Sequence, residues 1–436
     1  MIVKNEERYI RDCLESIKDV ADQLVIIDTG CTDDTIRIAG EYNAEVHSFK
    51  WIDDFSAARN ASIKYARNNW ILWLDADERL KPESIPLLKE IISRNQHTVI
   101  YNVQIENETN DAADAQLSTA YRLFPNNYGI GFKNRIHEQL TVSKNVKIKS
   151  VNSQIILKHL GYALQGQEKN NKDLRNLFLL EKMVGENPAD AYTHYTYGQQ
   201  LSLVDNYQKA LIHFEKAYAL KQFDKALSGS LLNVLSETYL KLNNLDKALY
   251  FARKSIQNIP NQTSAYYMVY RICEKKQEFS EAIAAIDSII KNNHNKDQRE
   301  IATDVVIDNL KLVYTKAVLH EKNQDYKNAL QCWKELLTKQ PAKEELYNQP
   351  IAIALNQGFV EIAQDLLEKL IVLNPSRTDA LDALGTLYIK RIDFKNAILV
   401  FEKLNQIIPD NQQVIRKLAG LYLKTGSEAQ AAALLS

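Results

Sequence analysis

Two aspartates separated by one residue follow a short apolar run in WILWLDADERL, which begins at Trp70. A D-x-D pair on a tight turn can direct one carboxylate, here Asp75, to a ribose and the other, Asp77, to a divalent cation. Hard oxygen ligands suit Mg²⁺ or Mn²⁺, and such an ion stabilises a diphosphate as it leaves. Apolar strands also end in solvated charged turns, so the motif by itself leaves both interpretations open.

Alternating strand-like and helix-like segments predict how these aspartates are positioned. The predicted strands are the apolar runs 24–28, 70–74 and 98–105, and the predicted helices are 6–18, 33–42, 55–67 and 83–93. This alternation indicates a largely parallel sheet with helices on both faces. Because ligands bind beyond the carboxyl ends of such strands, we expect Asp28, which ends LVIID, and Asp75 at the ligand-binding edge.

Four blocks resemble, in order and spacing, the nucleotide-binding half of family 2 inverting glycosyltransferases. They are MIVKNEERYIRDCLESI, VIIDTGCTDDTIRIA, WIDDFSAARNASI and WILWLDADERL. The resemblance is close over roughly residues 1–100 and looser over 101–165. It implies a Rossmann-like α/β domain of the GT-A type that binds a nucleotide-sugar. Family members usually have several residues before the first strand, whereas this chain begins inside it, which predicts a looser nucleotide pocket.

The resemblance also implies roles for individual residues. Donor binding is implied for Lys4, Asn5, Glu6, Asp28, Asp54, Arg59 and Asp75. The first three would line the base pocket, Asp28 would face the nucleoside, and Asp54 would meet the base or ribose. Arg59 would contact phosphate or orient a carboxylate. A helix N-cap with a surface ion pair is the alternative for Asp54, Arg59 and the neighbouring Asn60.

The same resemblance implies different roles for the two aspartates of the D-x-D pair and adds a third metal ligand. Asp75 would meet the ribose and the metal, and Asp77 would be the direct ligand of Mg²⁺ or Mn²⁺. In LKHLGY, residues 157–162, His159 followed by Gly161 and Tyr162 fits the position of a histidine that completes the metal shell. The alternative for His159 is a buried histidine that caps the last strand before the helical region.

An acceptor-side segment is implied by YRLFPNNYGIGFKNRIHEQL, residues 121–140. It looks like the corresponding segment in the repeat-bearing branch of the family. An inverting transfer is a single displacement that needs a base for the proton of the attacking hydroxyl or thiol. Glu138 is the candidate, and His137 is the second candidate or a residue that fixes the loop. An exposed surface loop is the alternative for this stretch.

The second half of the chain is helical and repetitive. An alanine recurs at the same place in each unit: Ala210, Ala248, Ala282, Ala329, Ala363, Ala397 and Ala431. The spacings are 38, 34, 47, 34, 34 and 34 residues, and the longest fits one unit plus an insertion in 291–304. Proline follows the alanine by twelve residues at Pro260, Pro341, Pro375 and Pro409, where it would stop a helix. This pattern resembles the tetratricopeptide repeat, a 34-residue helical hairpin.

These two halves predict three segments. They are a catalytic domain at 1–165, a linking helix at 166–189 and a tetratricopeptide domain at 190–436. Stacked hairpins leave a concave surface that usually binds a peptide or protein. The repeats would therefore recognise the acceptor or a partner, or serve only as a scaffold. The apolar end AQAAALLS favours a homodimer through the repeats or a longer natural chain.

Composition excludes several other classes of protein. The net charge of -1 over 436 residues implies no broad basic face, so we expect no nucleic-acid partner. The four cysteines are far apart and show no CxxC pair, which argues against a disulfide framework or a zinc ribbon. No apolar stretch approaches the roughly 20 residues needed to span a bilayer. No secretion signal is evident, so the predicted location is the cytoplasm.

The sequence thus predicts a metal-dependent inverting glycosyltransferase. It would transfer a hexose from a nucleotide-diphosphate sugar, most simply a UDP-sugar, to a cysteine, serine or threonine of a peptide or protein. Some repeat-bearing relatives glycosylate cysteine in small bacteriocin-like peptides, so an S-linked product belongs to this prediction. The alternatives are a catalytically inactive tetratricopeptide scaffold and a transferase that acts on a cell-envelope saccharide.

Overall fold

The computed structural model describes residues 1–94, 98–107, 116–143, 146–160, 167–293, 305 and 307–435. The chain folds into two compact units, Met1–Gln222 and Phe223–Ser436. All strands of the described residues lie in the first unit, and the second unit is helical. The predicted fold class, an α/β domain followed by helical repeats, is confirmed. The predicted boundaries at 165/166 and 189/190 stay a prediction.

The strands of the first unit form three sheets among the described residues. Their bounds are β1 (Ile2–Val3), β2 (Val25–Asp28), β3 (Glu45–Ser48), β4 (Trp70–Leu72), β5 (Glu78–Leu80), β6 (Val99–Asn107), β7 (Gln116–Pro125), β8 (Ile130–Lys133), β9 (Gln139–Val142) and β10 (Lys149–His159). Strands β1, β2 and β3 pair in parallel in that order. A second sheet has the order β4-β7-β6-β10-β5, and β8 pairs with β9.

The second sheet differs from the prediction of a largely parallel sheet. Strand β7 pairs antiparallel with both β4 and β6, and only β6 and β10 pair in parallel. Strands β6 and β7 follow each other along the chain, and antiparallel neighbours need no crossover helix. The apolar runs at 70–74 and 98–105 therefore form strands as predicted, but in a mixed sheet.

Helices pack against these sheets or against one another. Those of the first unit are α1 (Ile10–Ile17), α2 (Thr35–Glu41), α3 (Phe55–Tyr65), α4 (Ile85–Ser93), α5 (Gln167–Glu186), α6 (Ala191–Leu203) and α7 (Tyr207–Leu220). Helix α1 buries Ile10, Cys13, Leu14 and Ile17, the spacing of one helical face. This face joins a core with Leu74 and other residues of the sheets. The four helices predicted before residue 95 are confirmed within a few residues.

The second unit consists of helical hairpins in the part that the structure describes. Its helices are α8 (Lys225–Lys241), α9 (Leu245–Asn258), α10 (Thr263–Lys275), α11 (Phe279–Asn293), α12 (Asn309–Lys322), α13 (Tyr326–Lys339), α14 (Glu345–Asn356), α15 (Val360–Leu373), α16 (Thr378–Lys390), α17 (Phe394–Ile407), α18 (Gln412–Lys424) and α19 (Glu428–Leu435). Most of the proposed insertion, 294–304, lies outside the described residues. No described helix is long and apolar enough to cross a bilayer.

The repeated alanines occupy one structural position. Each is the fourth residue of the second helix in its hairpin, from Ala210 in α7 to Ala431 in α19, and each is at most 2% exposed. The four repeated prolines lie two residues beyond the ends of α9, α13, α15 and α17. Five residues before each alanine the backbone has a positive φ, between 58° and 80°. The 34-residue pattern therefore marks both the place where the two helices of a hairpin cross and the turn between them.

Candidate active site

Asp75 lies on a turn that begins just after β4. Its carboxylate Oδ2 is 3.0 Å from Arg122 Nη2, and its backbone N–H donates to Glu78 Oε2 at 2.9 Å. Arg122 also contacts Glu78 Oε1 at 2.6 Å. Burial by itself would raise the pKa of Asp75, but Arg122 and Arg59 hold that pKa well below its usual range. Asp75 is therefore a fixed carboxylate anion.

Arg59, on helix α3, links Asp75 to the candidate base. Its Nη2 lies 3.6 Å from Asp75 Oδ1, and its Nε lies 3.0 Å from Glu138 Oε1. The guanidinium stacks 4.6 Å from the ring of Trp73 and 5.4 Å from the ring of Phe132. Arg59 is therefore close enough to orient a carboxylate, and it contacts two of them.

Glu138 precedes β9 and faces inward, with 11% of its side chain exposed. Burial raises the pKa of Glu138, and the charge of Arg59 opposes that rise. Although Glu138 Oε1 is close to Arg59, it is buried and accepts no hydrogen bond among the described residues. A carboxylate of this kind can accept a proton. His137 is exposed and has a φ of 53°, burial lowers the pKa of its imidazole, and its catalytic role stays a prediction.

Asp77 and His159 form a second pair close to Asp75. His159 Nε2 lies 3.1 Å from Asp77 Oδ2, and about a quarter of each side chain is exposed. Burial would lower the pKa of His159, but its contact with Asp77 raises the pKa above its ordinary value. Gly161 and Tyr162, which follow His159 in the sequence motif, lie outside the described residues.

The pair Asp77 and His159 fits a divalent cation that is shared with a substrate. One carboxylate oxygen and one imidazole nitrogen are suitable ligands, and Mg²⁺ commonly takes few protein ligands plus substrate phosphates. The only group of three possible ligand atoms within 4.8 Å of one another, among the described residues, is Cys273, Glu278 and Glu281 in the second unit. A metal at Asp77 and His159 would therefore need oxygen atoms from the donor or from water.

The predicted donor-binding residues after β1 and β2 lie on adjacent turns. Asn5 Oδ1 accepts a hydrogen bond from the Thr32 N–H at 2.8 Å. Asp28 Oδ1 accepts from the N–H groups of Gly30 and Cys31, which shape the turn at the end of β2. Lys4 is exposed.

Glu6 connects these turns electrostatically to the D-x-D pair. Burial, together with the charges of Asp77, Asp75 and Asp33, raises the pKa of Glu6 to about 7. Its backbone N–H donates to Thr35 Oγ1 at 2.7 Å, which ties the segment after β1 to helix α2. The predicted carboxylates of two separate sequence blocks, Glu6 and the Asp75 and Asp77 pair, therefore lie close to one another, together with Asp33. A cation bound in that region would relieve their mutual repulsion.

Asp54 and Asn60 form hydrogen bonds that stabilise helix α3 and its packing. Asp54 is the N-cap of α3 and accepts a hydrogen bond from the Ala57 N–H at 2.9 Å. Its other oxygen lies 4.0 Å from Arg135 Nη1. Asn60 exchanges two hydrogen bonds of 2.8 Å with the backbone of Phe132 and so fixes α3 against β8. This is the helix-cap alternative for Asp54, and its contact with the donor stays a prediction.

Sequence reasoning missed Glu78 and Arg122. Glu78 is 1% exposed, and burial raises its pKa against the opposing charge of Arg122. The sequence does indicate that Glu78 is buried, because Glu78 and the core residue Leu80 are two positions apart in β5 and so share its inward face. Arg122 lies in the apolar strand β7 beside the buried Leu123, where an arginine needs a carboxylate partner.

A cavity of about 420 Å³ with a mixed polar and apolar lining lies beside these charged groups and reaches Trp73 and Leu74, the two residues before Asp75. Its lining includes Val25 and Ile26 of β2 and Trp70, Ile71 and Leu72 of β4. None of the predicted donor, metal or base residues lines it. The region around Asp75 is therefore the better candidate for an active site, because it contains the converging charged groups.

Comparison with protein families identifies the N-terminal segment of the chain. Residues 1–150 match the family described as Glycosyl transferase family 2. Residues 1–150 form a family 2 glycosyltransferase domain. This family 2 segment contains Asp75, Asp77, Arg59, Arg122 and Glu138, whereas His159 lies just beyond it.

The matches to individual relatives span about half of each relative. A TPR repeat-containing protein of Synechococcus elongatus is 34% identical over 200 residues, which is 44% of this chain and 49% of the relative. Glycosyltransferase SunS of Bacillus subtilis is 29% identical over 223 residues, which is 50% of this chain and 52% of SunS. The chain thus spans about half the length of the curated relatives it matches.

Two solved structures resemble parts of the chain. The C-terminal part of a TPR repeat-containing protein from Cytophaga hutchinsonii is 16% identical, with a TM-score of 0.39, and covers 57% of this chain and 96% of that one. A tetratricopeptide repeat protein from Parabacteroides merdae is 15% identical, with a TM-score of 0.34, and covers 59% and 94%.

Proposed function

We propose that the family 2 domain is a metal-dependent inverting glycosyltransferase that moves a hexose from a nucleotide-diphosphate sugar to a peptide or protein side chain. The observation that carries the proposal is the convergence of two functional pairs that involve the family 2 segment, with His159 just beyond its end. Asp77 and His159 are 3.1 Å apart, and Glu138 is connected to Asp75 through Arg59. A metal ligand pair and a buried base are the groups that a single displacement requires.

In this mechanism Asp77 and His159 would hold Mg²⁺ or Mn²⁺, which would supply charge stabilisation for a departing diphosphate. Asp75 binds the ribose as an anion that Arg122 keeps in place. Glu138 Oε1 takes the proton of the attacking hydroxyl or thiol while the new bond to the anomeric carbon forms. The configuration inverts because attack and departure occur on opposite faces of the sugar.

The first helices after the catalytic segment support a peptide or protein acceptor. Burial raises the pKa of Tyr192 of α6, a hydrogen bond with Gln139 opposes that rise, and the charge of Glu138 adds to it. Tyr192 therefore lies close to the base loop. Arg175 of α5 lies 5.2 Å from the ring of Phe55. Arg135, three residues before Glu138, contacts Glu186 of α5 at 2.7 and 2.9 Å. Helices α5 and α6 would thus form one wall of the acceptor path.

The relative SunS is a glycosyltransferase, which is consistent with this class of enzyme, and extension to a cysteine, serine or threonine acceptor belongs to the proposal. Homodimer formation through the repeats and a cytoplasmic location remain predictions from the sequence.

Hydrolysis of nucleotide-sugars by the purified chain tests the proposal. UDP-, GDP-, ADP-, CDP- and TDP-sugars are supplied with Mn²⁺ or with a chelator, and release of the free nucleoside diphosphate is measured. We expect Mn²⁺-dependent release from one nucleotide class, with UDP the first candidate. Asp77→Ala should abolish this release, whereas Asp22→Ala, at an exposed aspartate, should not change it. No hydrolysis and no binding of any of the five donors would contradict the proposal and favour a scaffold.

A further inference from the structure

Arg59 occupies an unusual position between two carboxylates that serve different substrates. Its Nη2 is 3.6 Å from Asp75, on the donor side, and its Nε is 3.0 Å from Glu138, on the acceptor side. Trp73 and Phe132 contact the guanidinium through their ring faces, with 15% of the Arg59 side chain exposed. Packing therefore fixes the plane of the guanidinium before any substrate arrives.

The two carboxylates depend on Arg59 to different degrees. Asp75 has a second and shorter ion pair with Arg122, at 3.0 Å, and Glu78 accepts its backbone N–H. Among the described residues, Glu138 forms an ion pair with Arg59 alone. Loss of Arg59 would therefore leave the Asp75 turn in place and release the Glu138 side chain.

We infer that Arg59 is a positioning residue for Glu138, rather than a ligand of the donor phosphates. Its guanidinium holds the base carboxylate in a fixed relation to the Asp75 turn, and so to the sugar that is bound there. This inference rests on the proposed function and adds separate roles for two arginines. Arg122 positions Asp75 on the donor side, and Arg59 positions Glu138 on the acceptor side.

Four variants test this role: Arg59→Gln, Arg59→Lys, Glu138→Gln and the double variant Arg59→Gln/Glu138→Gln. Lys64→Gln is the matched control, because it removes an exposed positive charge from the same helix. The dissociation constant is measured by calorimetry with Mn²⁺ for the nucleoside diphosphate that the wild-type chain binds best among UDP, GDP, ADP, CDP and TDP. The matching nucleoside is measured alongside, and the rate of nucleotide-sugar hydrolysis is measured separately.

We expect Arg59→Gln to lower the hydrolysis rate about 100-fold, the usual cost of a misplaced catalytic group. Its dissociation constant for the diphosphate should stay within about twofold of wild type, because Arg122 still holds Asp75. In the Glu138→Gln background the same change should alter the rate less than about threefold, because the residue it positions is already disabled. Arg59→Lys keeps the charge and should lose only about tenfold in rate. Lys64→Gln should match wild type.

Three outcomes would overturn the inference. Weaker binding of the diphosphate, by about tenfold or more, with unchanged binding of the nucleoside would make Arg59 a phosphate ligand. An equal loss of rate in both backgrounds would show that Arg59 acts independently of Glu138. A parallel loss of both affinities and of the melting temperature, in Arg59→Gln and Arg59→Lys alike, would make its role purely structural. A wild-type chain that neither binds nor hydrolyses any donor would instead contradict the proposed function.

Discussion

His159 and Asp77 are 82 residues apart in the sequence, yet His159 Nε2 lies 3.1 Å from Asp77 Oδ2. The end of β10 and the turn after β4 bring them together, and the Leu160 N–H donates to the Asp77 carbonyl at 3.0 Å. The backbone hydrogen bond fixes the two segments relative to each other. The pair is therefore formed by the fold before any metal binds.

The Asp77 and His159 pair predicts a two-residue metal site. Asp77→Asn and His159→Ala should each weaken Mn²⁺ binding by at least about tenfold, or ~1.4 kcal/mol, because one of two protein ligands is lost. Binding is measured by calorimetry with Mn²⁺ in the presence of a nucleoside diphosphate, and melting temperatures verify the fold. Asp22→Ala is the control, because its side chain is exposed and has no predicted role. Wild-type Mn²⁺ affinity in both variants would exclude this site.

The buried contact between Glu78 and Arg122 predicts a large stability effect. Glu78→Ala should lower the free energy of unfolding by about 3 kcal/mol, because Arg122 loses a buried partner and the Asp75 N–H loses its acceptor. Urea unfolding followed by circular dichroism measures the change. Glu83→Ala is the comparison, since 64% of the Glu83 side chain is exposed and its loss should cost no more than about 0.5 kcal/mol. Equal effects for the two variants would contradict this account.

Close helix crossings explain two glycines of the repeats. A Cβ atom at Gly198 would lie 2.5 Å from the ring of Phe214, and one at Gly385 would lie 2.6 Å from the ring of Phe401. Alanine at either position should destabilise the protein by about 1–3 kcal/mol in urea unfolding, because both rings are buried. Gly420 lies in helix α18 with nothing within 4 Å, so Gly420→Ala should stabilise by up to about 1 kcal/mol. Stabilisation by all three alanines would contradict the crossing argument.

Ile392 is strained by the turn before α17. Its φ is 62° and its side chain is 74% exposed, so it has little packing to compensate for the left-handed conformation. Asparagine, which Asn243 provides at the equivalent place, tolerates this backbone better. We expect Ile392→Asn to stabilise by about 1 kcal/mol in urea unfolding. Val372→Asn removes an 80% exposed apolar side chain on helical backbone and should not stabilise.

The histidine pair of α6 and α7 predicts a loss of stability in mild acid. His194 Nδ1 and His213 Nδ1 are 2.8 Å apart and can share only one proton. Burial, His194 and nearby lysines lower the pKa of His213 to about 4. Since the unfolded chain takes up this proton near pH 6.5, the contribution of His213 is present above pH 6.5 and is lost as pH falls toward 4.

Unfolding in urea between pH 7 and pH 4 measures this effect. Allowing for partial exposure, it should reach about 1–2 kcal/mol. His213→Asn should reduce the slope of the free energy of unfolding against pH. An unchanged slope in His213→Asn would show that this pair does not control the acid sensitivity.

The sequence by itself determined the two kinds of fold and their local elements. A 34-residue repeat of small residues and prolines identifies helical hairpins, because helix crossings and helix ends impose residue types at fixed positions. Apolar runs that end in Asp28 and in Asp75 located the strand ends in the same way. Such constraints act between residues that are close along the chain, so their spacing is visible in the sequence.

Only the tertiary structure decided which charged groups meet. Asp54 became a helix cap, Arg59 came to lie between Asp75 and Glu138, and Glu78 gained a role through Arg122. These contacts join segments tens of residues apart, and their strength depends on burial and on angles that spacing does not encode. The antiparallel pairing of β7 with β4 and β6 carries Arg122 to the Asp75 turn, because the register of neighbouring strands, rather than the composition of any one strand, decides which side chains meet.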